Sequence, residues 1–157
     1  MKAVPITRIK KELQHLSQEE LVEIVLRVGK YKVENKEFLT YLLFEASDED
    51  GYIDVVKEYI NEQFEYINQQ NYYFIKKSVR KILRTIKKYV KFSKKPETEA
   101  ALLIHFCRKL KKMEPSYINN TVLTNMFDRQ LGLAEKTIEK MHEDLQYDYK
   151  LEIEELF

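Results

Sequence analysis

Three glycines, three prolines, one cysteine and no tryptophan are all that 157 residues hold of the types that break, staple or anchor a fold. So little glycine and proline argues against a β-rich protein, whose many tight turns need Asn-Gly, Gly and Pro. Helices joined by short polar links have no such need. The lone cysteine, Cys107, cannot close an intrachain disulfide, so a reducing compartment and a cytoplasmic location are the expectation. The opening residues, Met1 to Ile6, lack the apolar core of a secretory signal. No run approaches the roughly 18 consecutive apolar residues of a membrane span, so no membrane association is expected. The longest apolar run, Ala100 to Ile104, reads as a buried helical segment.

The same scarcities count against catalysis. Three glycines leave no phosphate-cradling loop, and there is no G-x-S-x-G elbow to expose a nucleophile. Cys107 lies inside an apolar stretch, where a thiolate is disfavoured. Metal chemistry is equally short of ligands. His105 and Cys107 are two residues apart, which on a helix points them to opposite sides, and zinc needs about four ligands. Met141-His-Glu-Asp144 lacks the second histidine of an H-E-x-x-H site. Asp48-Glu-Asp-Gly51 fails the spacing of a calcium loop. No catalytic residue, metal ligand or cofactor is therefore assigned, and the chain reads as a non-enzyme.

What is present is helical pattern and charge. Apolar residues recur at three- and four-residue spacing in seven or eight segments, which predicts an all-α fold. The expectation is a single domain over residues 1–157, an irregular bundle or a short αα-superhelix. Ser17-Gln-Glu-Glu20 is a capping box opening a helix through Leu21, Ile24, Val25 and Val28. The next helix is expected over 33–46 with Phe38, Leu39, Leu42 and Leu43 inward. Another is expected over 52–67, and Gly132 is read as a kink or cap between the last two. The tail alternates like a strand through Leu145, Tyr147, Tyr149 and Leu151 but also fits a helix; a lone strand has no partner here, so helix is expected.

Charge is unevenly distributed in a nearly neutral chain of net +1. Residues 67–95 carry 10 basic and no acidic side chains, whereas 45–66 carry 1 basic and 8 acidic. Within the basic block, Ile75, Val79, Ile82, Leu83, Ile86 and Val90 fill an arc of roughly 100° at 100° per residue. Lys76, Lys77, Arg80, Lys81, Arg84, Lys87, Lys88 and Lys91 fill a separate arc of roughly 140° that extends about 22 Å along one helix. Like charges at i,i+4 repel by a few tenths of a kcal/mol per pair, so something should compensate them. The acidic face of the preceding helix (Asp54, Glu58, Glu62, Glu65) and the acidic C-terminal segment are internal candidates; a phosphate backbone is the external one. Tyr72, Tyr73, Tyr89 and Phe92 near the ends could stack on bases. Six of the eight cations are lysine, which favours contact without base readout.

The opening cadence, Ile9-Lys-Lys-Glu-Leu13, Leu16-Ser-Gln-Glu-Glu-Leu21 and Lys36-Glu-Phe-Leu39, resembles the N-terminal region of small bacterial helical proteins classed as domains of unknown function. The resemblance implies a helical, cytoplasmic bacterial protein and carries over no functional residue. Two readings of function stand. The leading one is a non-catalytic module that binds another protein through a helical surface. The second is non-specific binding of nucleic acid or another polyanion by the basic face.

Overall fold

The computed structural model describes residues 1–157 as eight α-helices with no strand, so the protein is all-α. The chain groups into two compact units, Met1–Phe44 and Glu45–Phe157, whereas the sequence reads as one domain.

The first unit holds α1 (Ile6–Leu13), α2 (Gln18–Tyr31) and α3 (Val33–Thr40), with a short π-helical stretch, Tyr41–Glu45, at its end. The capping box forms. The Ser17 hydroxyl accepts the Glu20 amide at 3.2 Å, and the Ser17 amide donates to the Glu20 carboxylate at 3.3 Å. α2 packs on α3, and the two approach closely at Gly29, where a Cβ would come within 2.6 Å of Leu39 Cδ1. The Asn35 amide clasps the turn between them by donating to the Val28 carbonyl at 2.8 Å.

The inward packing expected of this region is not found. Only Gly29 and Tyr41 are buried in the first unit. Val22, Val25, Leu26 and Val28 are 43–53% exposed, Ile24 is exposed, and Leu42 and Leu43 are 49% and 69% exposed. The helix expected over 33–46 ends at Thr40, so Leu42 and Leu43 lie on the π-helical stretch, and three short helices cover too little of one another to bury an apolar set spread around α2.

The second unit is built around one helix. α4 (Glu49–Glu65), α5 (Tyr72–Ser93), α7 (Thr121–Ile138) and α8 (Glu143–Glu154) all pack against α6 (Pro96–Lys112). Pro96 sits in its first turn, where a missing N–H costs nothing. Ala100 to Ile104, Phe106, Cys107 and Leu110 are all 5% exposed or less, so the apolar run is buried as expected. Ile60 from α4, Ile75, Val79 and Ile86 from α5, and Leu123 and Ile138 from α7 complete the core. Glu49 ties three elements together. Its carboxylate accepts hydrogen bonds from Ser93 at the end of α5 and from Thr98 in α6, and pairs with Lys95 at 3.7 Å.

Several boundaries differ from expectation, two of them for a plain physical reason. α4 starts at Glu49 because Asp48 caps it, its side chain accepting the Gly51 amide at 3.0 Å. α7 continues unbroken through Gly132 to Ile138, so Gly132 does not end a helix. A mid-helix glycine costs only about 1 kcal/mol, and burial of Ala134, Thr137 and Ile138 on the turns beyond outweighs it. The tail is helical.

Candidate anion-binding face

α5 is one unbroken helix of 22 residues. Asn71 caps it by accepting the Phe74 amide at 3.2 Å, and Lys94 ends it in the left-handed conformation at φ 59°. Ile75, Val79, Ile82 and Ile86 turn into the core at 0–2% exposure, with Leu83 and Val90 at the margin. The opposite side carries the eight cations. Lys77, Arg80, Lys81, Arg84 and Lys91 are exposed, while Lys76, Lys87 and Lys88 are partly buried.

At 100° per residue the cations resolve into two rows. Lys76, Arg80, Arg84, Lys87 and Lys91 lie within roughly 80° of arc, with Lys77, Lys81 and Lys88 beside them. None of the first row forms an ion pair. Neither internal source of compensation reaches them directly. Asp54, Glu58, Glu62 and Glu65 are exposed on α4 and form no ion pair. The acidic tail belongs to α8, which packs on α6 and α7 and pairs Glu152 with Arg108 at 3.9 Å. Burial lowers the Lys87 pKa, and Glu99 nearby partly offsets this.

Of the aromatic residues near the helix ends, only Tyr73 is well exposed, at 66%, beside the edge of Phe74. Tyr72 donates to the Ser116 carbonyl at 2.8 Å, and Tyr89 packs edge-on against Tyr59. These two serve the fold.

The structure adds a feature that the basic stripe did not announce. α5 and α7 each pack against α6, and a cleft of about 470 Å³ opens between them. Arg80, Arg84 and Lys87 of α5 line one wall. Asn125 and Arg129 of α7 line the other, and Leu83, Val122, Met126 and Gln130 complete the lining, which holds no carboxylate. Gln130 is 4% exposed and its Oε1 has no hydrogen-bond partner. Only composition hinted at the α7 wall: Arg129 is one of 4 basic residues among the 10 acidic ones of 114–157, four positions after Asn125.

The other chemically suggestive residues have structural places. Cys107 is fully buried, and its pKa is pushed up to about 12 by burial, with Asp128 adding to it. His142 caps α8, its Nδ1 accepting the Asp144 amide at 3.3 Å. No three His, Cys, Asp or Glu side chains gather as a metal site would require. His105 donates from Nε2 to Asn61 Oδ1 at 2.7 Å. Its pKa is lowered to about 4 by burial first, then by Lys57, Arg108, Lys109 and Lys112.

That shift has a consequence for stability. The folded protein resists protonating His105 while the unfolded chain takes the proton near pH 6.5, so His105 contributes full stability above that value. Stability should fall as pH drops from 6.5 toward 4, by about 1 kcal/mol at pH 5 once partial exposure is allowed for. Urea denaturation at pH 7 and pH 5 checks this: His105→Gln should lose less than the wild type between the two. Equal losses would remove His105 as the cause.

No protein-family model, curated protein or solved structure matches the chain. The residues above therefore carry the functional argument alone. No helix is long and apolar enough to cross a membrane.

Proposed function

We propose that this chain is a non-catalytic interaction module whose second unit binds a nucleic-acid backbone without reading its sequence. One observation supports the reading above all: the row Lys76, Arg80, Arg84, Lys87, Lys91 runs along one side of α5 with no carboxylate paired to it. Holding such a row together costs a few tenths of a kcal/mol per i,i+4 pair. A phosphate backbone removes that repulsion and gains from the release of its own counterions. Lysine outnumbers arginine on the face, which suits phosphate contact more than bidentate recognition of base edges.

The reading is tested by fluorescence anisotropy of a labelled single-stranded oligonucleotide over a salt series. Five phosphate contacts on a single strand give a log–log slope of about −3.5, which is roughly 100-fold weaker binding at 200 mM salt than at 50 mM. No binding at 50 mM would end the proposal.

The first unit favours a second reading, docking to protein. Val22, Val25, Leu26 and Val28 expose half of their surface or nearly so on a single helix, where a stable isolated surface would carry polar groups. Docking there is tested first with a second copy of the chain, the one protein partner that every preparation contains. Sedimentation velocity should show reversible dimerisation that Val22→Lys combined with Leu26→Lys abolishes. A wild-type chain that stays monomeric at high concentration would exclude the dimer.

A further inference from the structure

We propose that the cleft between α5 and α7 seats one nucleotide of the bound strand, its phosphate against Arg80, Arg84 and Arg129 and its base over the apolar floor with an edge at Gln130. The inference rests on the nucleic-acid reading and adds to it a place where a base is held.

Four observations converge on this ligand. Cations enter the cleft from two helices, with Arg80, Arg84 and Lys87 at i, i+4 and i+7 on α5 and Arg129 across from them on α7. Glu99 acts on Lys87 from outside the cleft, but with no carboxylate in the lining, an anionic ligand is what meets these cations from within it. The floor is different in kind. Leu83, Val122 and Met126 are apolar and partly buried, and a bare anion gains nothing from lying on them. A flat aromatic ring does, and a methionine thioether is a favourable neighbour for its edge.

Gln130 supplies the third observation. Its side chain is buried in the lining and its Oε1 has no donor inside the protein, so a turn of the amide that brings Oε1 to the cleft gains a hydrogen bond once a ligand there supplies the donor. A phosphodiester has only acceptors and cannot. Every base can, through an exocyclic amine or a ring N–H, so a base is held there without its sequence being read, and adenine pairs well with a glutamine amide. Size is the fourth. About 470 Å³ falls within the range of small-ligand sites and fits one nucleotide, not a duplex. The cation row continues beyond the cleft at both ends, to Lys76 and to Lys91, so a strand seated there keeps phosphate partners on either side.

The experiment compares three labelled or competing polyanions at 50 mM salt: an oligodeoxyadenylate, an abasic deoxyribose-phosphate oligomer of equal length, and inorganic polyphosphate. The wild type should bind oligodeoxyadenylate about tenfold more tightly than the abasic strand. Arg129→Gln should weaken both strands severalfold. Gln130→Leu, close in volume, should bring oligodeoxyadenylate down to the abasic level and leave abasic affinity unchanged, with its thermal melt confirming the fold. Asn125→Ala, at an exposed position, is the second variant if the buried one fails to fold, and it should reduce the base advantage in part.

Equal wild-type affinity for the three polyanions would overturn the nucleotide seat while leaving the nucleic-acid reading of the α5 face intact. Failure to bind any of them would overturn both. Persistence of the tenfold base advantage in a folded Gln130→Leu variant would move the base elsewhere and refute the seat.

Discussion

Replacing Phe106 with alanine is expected to cost the second unit about 3–5 kcal/mol, a large part of the 5–15 kcal/mol that holds a typical domain together. Phe106 is fully buried on α6, the helix against which α4, α5, α7 and α8 all pack. Its ring meets that of Phe64 from α4 at 6.0 Å between centroids, tilted by 58°. Truncation removes the transfer free energy of the ring and leaves a void walled by four helices, which cannot all close on it at once. The urea midpoint should fall sharply with little change in slope. Tyr73→Ala, at a 66% exposed position on α5, should stay within about 0.5 kcal/mol of wild type. A Phe106→Ala variant that lost less than about 1 kcal/mol would mean that α6 is not the centre of the unit.

That centre was legible in the sequence because it is written in one place. Ala100 to Ile104 is apolar on every side, and only a helix surrounded by others can bury such a run. α5 was legible for the opposite reason: its apolar and cationic arcs do not overlap, and its length gives the period room to declare itself. In the first unit, the spacing of Phe38, Leu39, Leu42 and Leu43 announced one helix over 33–46, but α3 ends at Thr40 and Leu42 and Leu43 fall on the π-helical stretch after it. Periodicity says which residues share a side; it does not say that anything covers that side, and Leu42 and Leu43 are left in solvent.

Gly132 misled because a weak propensity was read as a boundary, while the burial of Ala134, Thr137 and Ile138 decided the matter. α4 starts three residues before the expected position because the Asp48 side chain accepts the Gly51 amide, so that Glu49 to Gly51 form its first turn and not a loop. The cleft was the least legible feature. Arg80 and Arg129 lie 49 positions apart, and no local pattern on α7 says that Asn125 and Arg129 stand across from α5. Gln130 is invisible to sequence altogether: a glutamine in an amphipathic helix carries no sign that its carbonyl oxygen ends buried without a donor.

Reversing three charges on α5 should separate binding from folding more sharply than any other change. In Arg80→Glu, Arg84→Glu, Lys91→Glu, each new carboxylate replaces a cation that forms no ion pair, at a position exposed to solvent. Residue 84 lies one turn from Lys81, Lys87 and Lys88, residue 80 from Lys76 and Lys77, and residue 91 from Lys87 and Lys88, so these repulsive pairs become attractive, while residues 80 and 84 repel each other as before. Each such exchange is worth a few tenths of a kcal/mol, and the variant should melt at or slightly above the wild-type temperature. Its affinity for an oligonucleotide at 50 mM salt should nevertheless fall by about 100-fold or more, and the salt slope should flatten toward zero as phosphate contacts are lost. The two readouts move in opposite directions because the cations cost the folded protein something that only a bound anion returns. If the cations instead served the fold through unseen internal pairing, the same variant would lose stability and keep its affinity. A lower melting temperature with an unchanged salt slope would therefore refute the functional account of α5 in a single preparation of protein.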